Sequence, residues 1–339
     1  MIINYFIYLC LTAVIIFISK KKQLLPNYSG EKHQSFVNQK KIPLIGGFIL
    51  LSPLAFIFFK DNIVFLLTAF IIFFVGFLSD AKILSSAKMR IIYQFIIVFI
   101  FVLFLKVEVI PTRIDFVDKI FEIKILSFVF TCFCLLILIN GANFIDGLNG
   151  LLLGYFLIIL FVLHKLSLIY YLGLDLHDIH FLFFVIISLL FLNYLNILFL
   201  GDGGSYTIGF ILGVFLIFIY NSQNHISPLF VILLLWYPCF ENLFSIIRKN
   251  KFKNSPIHAD NRHLHQLLYF YLSKKLKKSD LVTNNLSSVL INTFNFATFI
   301  IGSNYIYSTM SLIIIVVINI LIYFLSYNYL FNFRFSKKY

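Results

Sequence analysis

The residues of this chain best suited to chemistry are three aspartates set among glycines, amides and a serine. They are Asp80 in Gly76-Phe77-Leu78-Ser79-Asp80, Asp146 in Asn140-Gly141-Ala142-Asn143-Phe144-Ile145-Asp146-Gly147-Leu148-Asn149-Gly150, and Asp202 in Leu200-Gly201-Asp202-Gly203-Gly204-Ser205. Lys82, Lys88, Arg90 and Gln94 follow Asp80. A carboxylate beside cations at the end of an apolar run suits a metal or a phosphate. In the second stretch polar residues recur every third position. On an ideal helix each such step drifts by about 60°, so Asn140, Asn143, Asp146 and Asn149 converge only if the helix unwinds, which Gly141, Gly147 and Gly150 make easy. Amides and a carboxylate at a membrane helix end are costly unless they bind something. In the third stretch a glycine turn opens a helix whose free N–H groups favour phosphate, and the Asp beside them favours a cation.

Two more polar clusters stand out. His258-Ala259-Asp260-Asn261-Arg262-His263-Leu264-His265 gathers three imidazoles, a guanidinium and a carboxylate. No thiol accompanies them and the spacing fits no familiar structural zinc site; Arg and His donors around phosphate oxygens fit better. The other is His33-Gln34, followed by Ile42-Pro43-Leu44-Ile45-Gly46-Gly47. Proline and paired glycines there read first as a helix start with tight packing.

The elements that must position these residues are membrane helices. Of 339 residues 61% are hydrophobic and 12% charged, about half the charged fraction of a soluble domain. Apolar runs near the ~20 residues needed to cross a bilayer recur along the chain, and in lipid such continuous runs must be helices. The fold class expected is an all-α polytopic membrane protein, a single bundle and single domain over 1–339 with its motif-bearing core at about 30–270. Eleven spans are predicted near 2–18, 43–59, 63–79, 90–106, 124–140, 151–172, 181–199, 206–221, 227–247, 285–302 and 309–331. The segment 107–123 alternates apolar and polar residues and is predicted as a small hairpin. Leu264, Leu267, Leu268, Tyr271 and Leu272 predict an amphipathic helix, with lysines after it for anionic headgroups. Cys10, Cys132, Cys134 and Cys239 lie in apolar runs and read as small core residues. With no early basic region and no small-residue cleavage site, the first run reads as a retained span.

Of the 27 Lys and Arg, 21 fall in 19–42, 80–90, 248–284 and the C-terminal tail. Positive charge marks the cytoplasmic side. The N-terminus is therefore expected outside, the C-terminus inside, and all five clusters on the cytoplasmic face of a bacterial-type plasma membrane. The net charge of +13 reads as topology and lipid contact, not nucleic-acid binding. Carboxylates do not ligate anions directly, so phosphate chemistry beside three of them implies a hard divalent cation. Mg²⁺ takes one or two carboxylates and leaves other positions to water and phosphate oxygens, neutralising charge as a phosphoryl group transfers.

These clusters, in this order, resemble the polyprenyl-phosphate N-acetylhexosamine-1-phosphate transferase family (glycosyltransferase family 4), which includes the phospho-MurNAc-pentapeptide translocase and GlcNAc-1-phosphate transferases. The resemblance implies that a UDP-sugar and polyprenyl phosphate give polyprenyl-diphospho-sugar and UMP, with Mg²⁺. It implies catalytic roles for Asp80, Asp146 and Asp202, with Asp202 and Asp80 on the metal. Asn140, Asn143 and Asn149 fall on the family's Asn-rich motif. Arg262, His263 and His265 fall on its donor-diphosphate loop, and Lys88 and Ser79 complete the substrate-binding set. The Asp260-Asn261-Arg262-His263-Leu264-His265 run resembles the GlcNAc-type form and implies a HexNAc donor. Ser79 stands where the family usually has the first of two paired aspartates, and Asn149 where a second aspartate is common. A second copy of the chain is a candidate partner. Two other readings exist: a transporter, which would place polar sites at mid-membrane and show inverted repeats, none being visible; and a non-catalytic UDP-sugar-binding relative, motivated by Ser79.

Overall fold

The computed structural model describes residues 2–25, 42–58, 62–109, 111–223, 225–251 and 262–335. His33-Gln34 and His258 to Asn261 lie outside these residues. The helices run α1 Ile2–Lys22, α2 Gly46–Phe58, α3 Ile63–Asp80, α4 Ala87–Leu105, α5 Asp115–Phe121, α6 Lys124–Ile145, α7 Leu151–Lys165, α8 Leu176–Tyr194, α9 Gly201–Ser222, α10 Pro228–Lys251, α11 Leu264–Leu276, α12 Asp280–Ser303 and α13 Thr309–Phe335. Among the described residues the only extended pairing is an isolated bridge between Leu44 and Phe199.

Each of the eleven predicted runs overlaps a helix, with bounds that differ by several residues. Among the described residues nine helices are long and apolar enough to cross a membrane: α1, α3, α4, α6, α8, α9, α10, α12 and α13. Helix α7 is apolar but shorter. Outward faces carry large apolar side chains such as Phe6, Phe104 and Leu325, a liability in water and the natural surface of a chain in lipid. The protein is a polytopic membrane protein.

Three expectations are corrected. The span predicted at 151–172 stops at Lys165; Ser167 takes a left-handed backbone, and a short 3-10 turn, Leu168–Leu172, ends at Gly173 (φ +76°). The hairpin predicted at 107–123 is instead a connection ending in α5. Asp118 accepts from the backbone N–H groups of Thr112 at 2.7 Å and Arg113 at 3.0 Å, which folds the preceding loop back onto a helix. Of the cysteines, all free, Cys132 is buried but Cys10 is exposed. The amphipathic helix is present as α11, lying against α12 and α13.

Helix α9 is the centre of the bundle and is buried along nearly its whole length. It packs chiefly on α3 and α6, through small residues that let backbones approach closely, as membrane helices require when hydrophobicity alone cannot drive them together. The Pro43–Gly47 stretch docks on the start of α9: Gly46 N–H donates to Phe199 O at 2.9 Å and Phe199 N–H to Pro43 O at 3.0 Å. The tight-packing reading of that cluster holds for its described part.

Candidate functional site

The site is built where α3 ends and α9 begins. Asp80 closes α3, and its two carboxylate oxygens accept the backbone N–H groups of Asp202 at 2.9 Å and Gly203 at 3.1 Å. The first amides of α9, expected to be open to phosphate, are thus taken by a carboxylate of the chain. The helix dipole favours a negative group there. Gly201 has φ +73°, and a Cβ on it would lie 2.5 Å from Asp80 Oδ2; glycine satisfies both the backbone and the close approach. Replacing Asp80 by Asn puts an N–H donor against an N–H donor. Asp80→Asn should therefore destabilise the fold by about 1–3 kcal/mol, read as a lower unfolding midpoint in detergent; an unchanged midpoint would contradict this capping role.

Asp202 stands one residue into α9 and draws in two neighbours. Its Oδ2 accepts from Arg90 of α4 at 2.7 Å and from the Ser79 hydroxyl at 2.7 Å, and Arg90 also donates to Ser79 Oγ at 2.6 Å. Ser79 thus bridges the guanidinium and the carboxylate, at the position where the resemblance implies an aspartate. Asp202 Oδ1 takes no hydrogen bond from a described residue.

The Asn-rich stretch stays helical through Ile145 and unwinds only from Asp146 to Gly150. Its four polar residues therefore do not converge. Asn140 donates to Gln94 of α4 at 2.9 Å. Asn143 accepts from the Ser205 hydroxyl of α9 at 2.8 Å. Asn149 turns the other way, donating through its side chain to Asn196 at 2.7 Å and through its backbone to Asn284 of α12 at 2.8 Å. Asp146 accepts no hydrogen bond from any described residue. Burial, and then the charges of Asp202 and Asp80, push its carboxyl well above the usual carboxylate range.

The described part of the loop 258–265 comes against this stretch. His263 packs on Phe144, with ring centroids 5.2 Å apart, and stacks on His265 at 5.6 Å. His265 is fully buried, and among the described residues neither ring nitrogen has a hydrogen-bond partner. A Cβ on Gly147 would meet its Nε2 at 2.6 Å, so glycine lets the ring lie against the Asp146 loop. Burial, with the adjacent His263, lowers the His265 pKa to about 3; the ring is neutral at physiological pH. Arg248 donates to the Arg262 carbonyl at 2.6 Å, and the Arg262 guanidinium lies over Phe335. Lys88 is exposed on the first turn of α4.

Asp80, Asp202, Ser79, Asn143 and Asp146 thus share one end of the bundle, with His263 and His265 beside them; Asn149 is directed into the joint with α8 and α12. Arg90 joins this cluster through its pairing with Asp202 and Ser79. Glu241 of α10 was missed altogether: it is fully buried and bonded to His263. Its signal was plain, since it is the sole charged residue in 228–247, and an ionisable group inside a span marks function by default.

The donor set has hard oxygens. Among the described residues no three acidic, imidazole or thiol side chains converge to hold a metal by themselves. Mg²⁺ does not require that, because it uses one or two carboxylates with water and substrate phosphates. Asp202 Oδ1 and the Asp146 carboxylate, neither of which accepts a hydrogen bond from a described residue, fit it.

Residues 62–220 match the family described as glycosyl transferase family 4. The chain is 29% identical over 219 residues to a probable undecaprenyl-phosphate N-acetylglucosaminyl 1-phosphate transferase of Bacillus subtilis (strain 168), a match covering 61% of this chain and 58% of that protein. It is 25% identical over 272 residues to an undecaprenyl-phosphate alpha-N-acetylglucosaminyl 1-phosphate transferase of Thermotoga maritima, covering 79% of each. The resemblance read from the motifs is borne out.

Proposed function

We propose that this relative of glycosyl transferase family 4 transfers an N-acetylhexosamine 1-phosphate from a UDP-sugar to a polyprenyl phosphate, undecaprenyl phosphate being the natural candidate, with release of UMP. The observation that carries the reading is the joining of Asp80, Ser79, Arg90 and Asp202 at the head of α9, with Asp146 beside them, in a protein whose outer surface is apolar. A lipid phosphate reaches such a site from the bilayer and a nucleotide-sugar from water. We place this end of the bundle on the cytoplasmic side, where the excess of Lys and Arg points. GlcNAc is the donor favoured, from the Asp260 to His265 run and the names of both relatives.

An oxygen of the lipid phosphate attacks the sugar-bearing phosphorus of the donor. The bond from that phosphorus to the bridging oxygen breaks, and UMP leaves with the bond's electrons. The nucleophile is already ionised, so Ser79 is not required as a base. Arg90 stabilises negative charge spreading over the phosphoryl oxygens. Asp80 holds the first turn of α9, and with it Asp202, in place. His263 and Arg262 donate to the donor diphosphate. Asp202 and Asp146, with Asp80 as a further charge, would hold Mg²⁺, which when bound neutralises phosphate charge and orients the reacting oxygens.

The test is UMP release by the purified chain from a panel of UDP-sugars with undecaprenyl phosphate and Mg²⁺. Release is expected with UDP-N-acetylhexosamines, and loss of it on chelation. No release across the panel, while a related enzyme works in parallel, would overturn the reading. Binding of UDP-sugar without turnover would favour a non-catalytic relative.

A further inference from the structure

Glu241 has no part in the chemistry above, yet it is one of the most constrained side chains in the protein. It is fully buried inside an apolar span, in the half nearer Arg248. A lone buried carboxylate there is costly unless donors surround it. Three do. Its Oε1 meets His263 Nδ1 at 2.9 Å and accepts the Leu264 N–H at 3.4 Å, while Oε2 accepts the Tyr323 hydroxyl of α13 at 2.8 Å. The His263 ring packs against both Phe144 and His265, and its backbone N–H donates to Gln266 Oε1 at 3.3 Å.

We infer that Glu241, clamped by Tyr323, is a positioning residue that commits Nδ1 of His263 and so presents only its Nε2 to the donor diphosphate. An ionised carboxylate is an acceptor only, so the hydrogen in the pair sits on Nδ1. No described residue bonds Nε2, which is the one nitrogen left for a ligand. The partner of an imidazole sets its tautomer and orientation, as carboxylates do behind metal-bound histidines. His265, neutral and walled in by Gly147, is the flank of this arrangement. Of the two loop histidines, His263 is the one that works on substrate. The link to α13 also makes the last helix of the chain part of the site's support. This inference rests on the transferase reading for what His263 contacts, but the pair itself does not.

The experiment uses the full chain in nanodiscs, with ¹⁵N-labelled histidine and His263 assigned by loss of its signals in His263→Asn. In the wild type, His263 should show a protonated Nδ1. In Glu241→Gln its ¹⁵N shifts should move towards a mixture of tautomers. Turnover should fall on the order of 10- to 100-fold in kcat, with KM for the UDP-sugar changed by less than about threefold, and Glu241→Asp should restore part of it. In the His263→Asn background Glu241→Gln should add nothing, because the two act as one unit. Unchanged ¹⁵N shifts, wild-type kcat, or losses that add would each overturn the inference. Should Glu241→Gln yield no folded protein, Tyr323→Phe takes its place: a smaller kcat loss that vanishes in His263→Asn is expected, and one that persists there counts against it. A wild type that releases no UMP sinks the transferase reading, and the ¹⁵N comparison then decides the pair.

Discussion

Asp202→Ala should lower UMP release by about 10²–10³-fold with little change in the unfolding midpoint. The two halves of this expectation have separate causes. Helix α9 is capped by Asp80 through the backbone N–H groups of Asp202 and Gly203, and those survive loss of the Asp202 side chain. Its ion pair with Arg90 is partly exposed, at 22% and 25% for the two side chains, and such pairs contribute little to stability. The carboxylate is nonetheless the group that ties α3, α4 and α9 together at the reaction centre, through Ser79 and Arg90. It also keeps one oxygen open. Asp202→Asn sharpens the point. The amide oxygen still accepts from Ser79 and Arg90, but the negative charge is gone. If Asp202 served only to hold Arg90, Asn would retain most turnover. If its charge holds a cation, Asn should be nearly as impaired as Ala, and the Mg²⁺ concentration needed for half-maximal rate should rise. Turnover of Asp202→Ala within about threefold of wild type would remove Asp202 from the site.

What could be read from the sequence divides along physical lines. Helices were legible because lipid forces every apolar run of sufficient length to satisfy its own backbone. Where length failed, the reading failed: the run 151–172 is interrupted after Lys165, where His164, Lys165 and Ser167 mark a break inside an otherwise apolar run. The hairpin predicted at 107–123 rested on a few alternating residues, too few to separate strand from a two-turn helix whose polar residues fold back on a loop. Asp80, Asp146 and Asp202 were legible because a carboxylate at the end of an apolar helix stands out. Their division of labour was not. That Asp80 faces the amides of α9 depends on how α3 crosses α9, and no local pattern encodes a crossing. The expected convergence of Asn140 with Asn149 failed because the helix holds until Ile145, so the Asn140 side chain is directed to Gln94 of α4 and the Asn149 side chain to Asn196, just after α8. Glu241 was within reach, as a charge inside a span, but its partners come from residues 263 and 323, far apart in the chain.

The crossing of α3 and α9 makes Gly76→Ala a destructive small substitution. A Cβ at Gly76 would lie 2.5 Å from the carbonyl carbon of Asp202 and from the N and Cα of Gly203. All three are backbone atoms of a buried helix, and none can swing aside as a side-chain tip would. Ordinary contact would require the helices to part by about an ångström, in an interior packed at crystal-like density. Overpacking of this kind typically costs about 1–3 kcal/mol, sometimes more, and the rigid partner places this case at the upper end. The loss is functional as well. Asp80 lies four residues further along α3, and any separation lengthens its bonds to the Asp202 and Gly203 amides as well as the Ser79–Asp202 bond. Gly173→Ala supplies the contrast. Gly173 has φ +76° with open space around the added Cβ, so it carries backbone strain of about 1–2 kcal/mol and no clash, and it lies in the connection before α8. Gly173→Ala should lower the unfolding midpoint modestly and leave turnover per folded molecule unchanged. Gly76→Ala should lower both, with turnover per folded molecule down on the order of tenfold or more, since an ångström of misplacement at a reaction centre is worth about 10² in rate. If Gly76→Ala behaves like Gly173→Ala, helices α3 and α9 do not set the site by direct backbone contact.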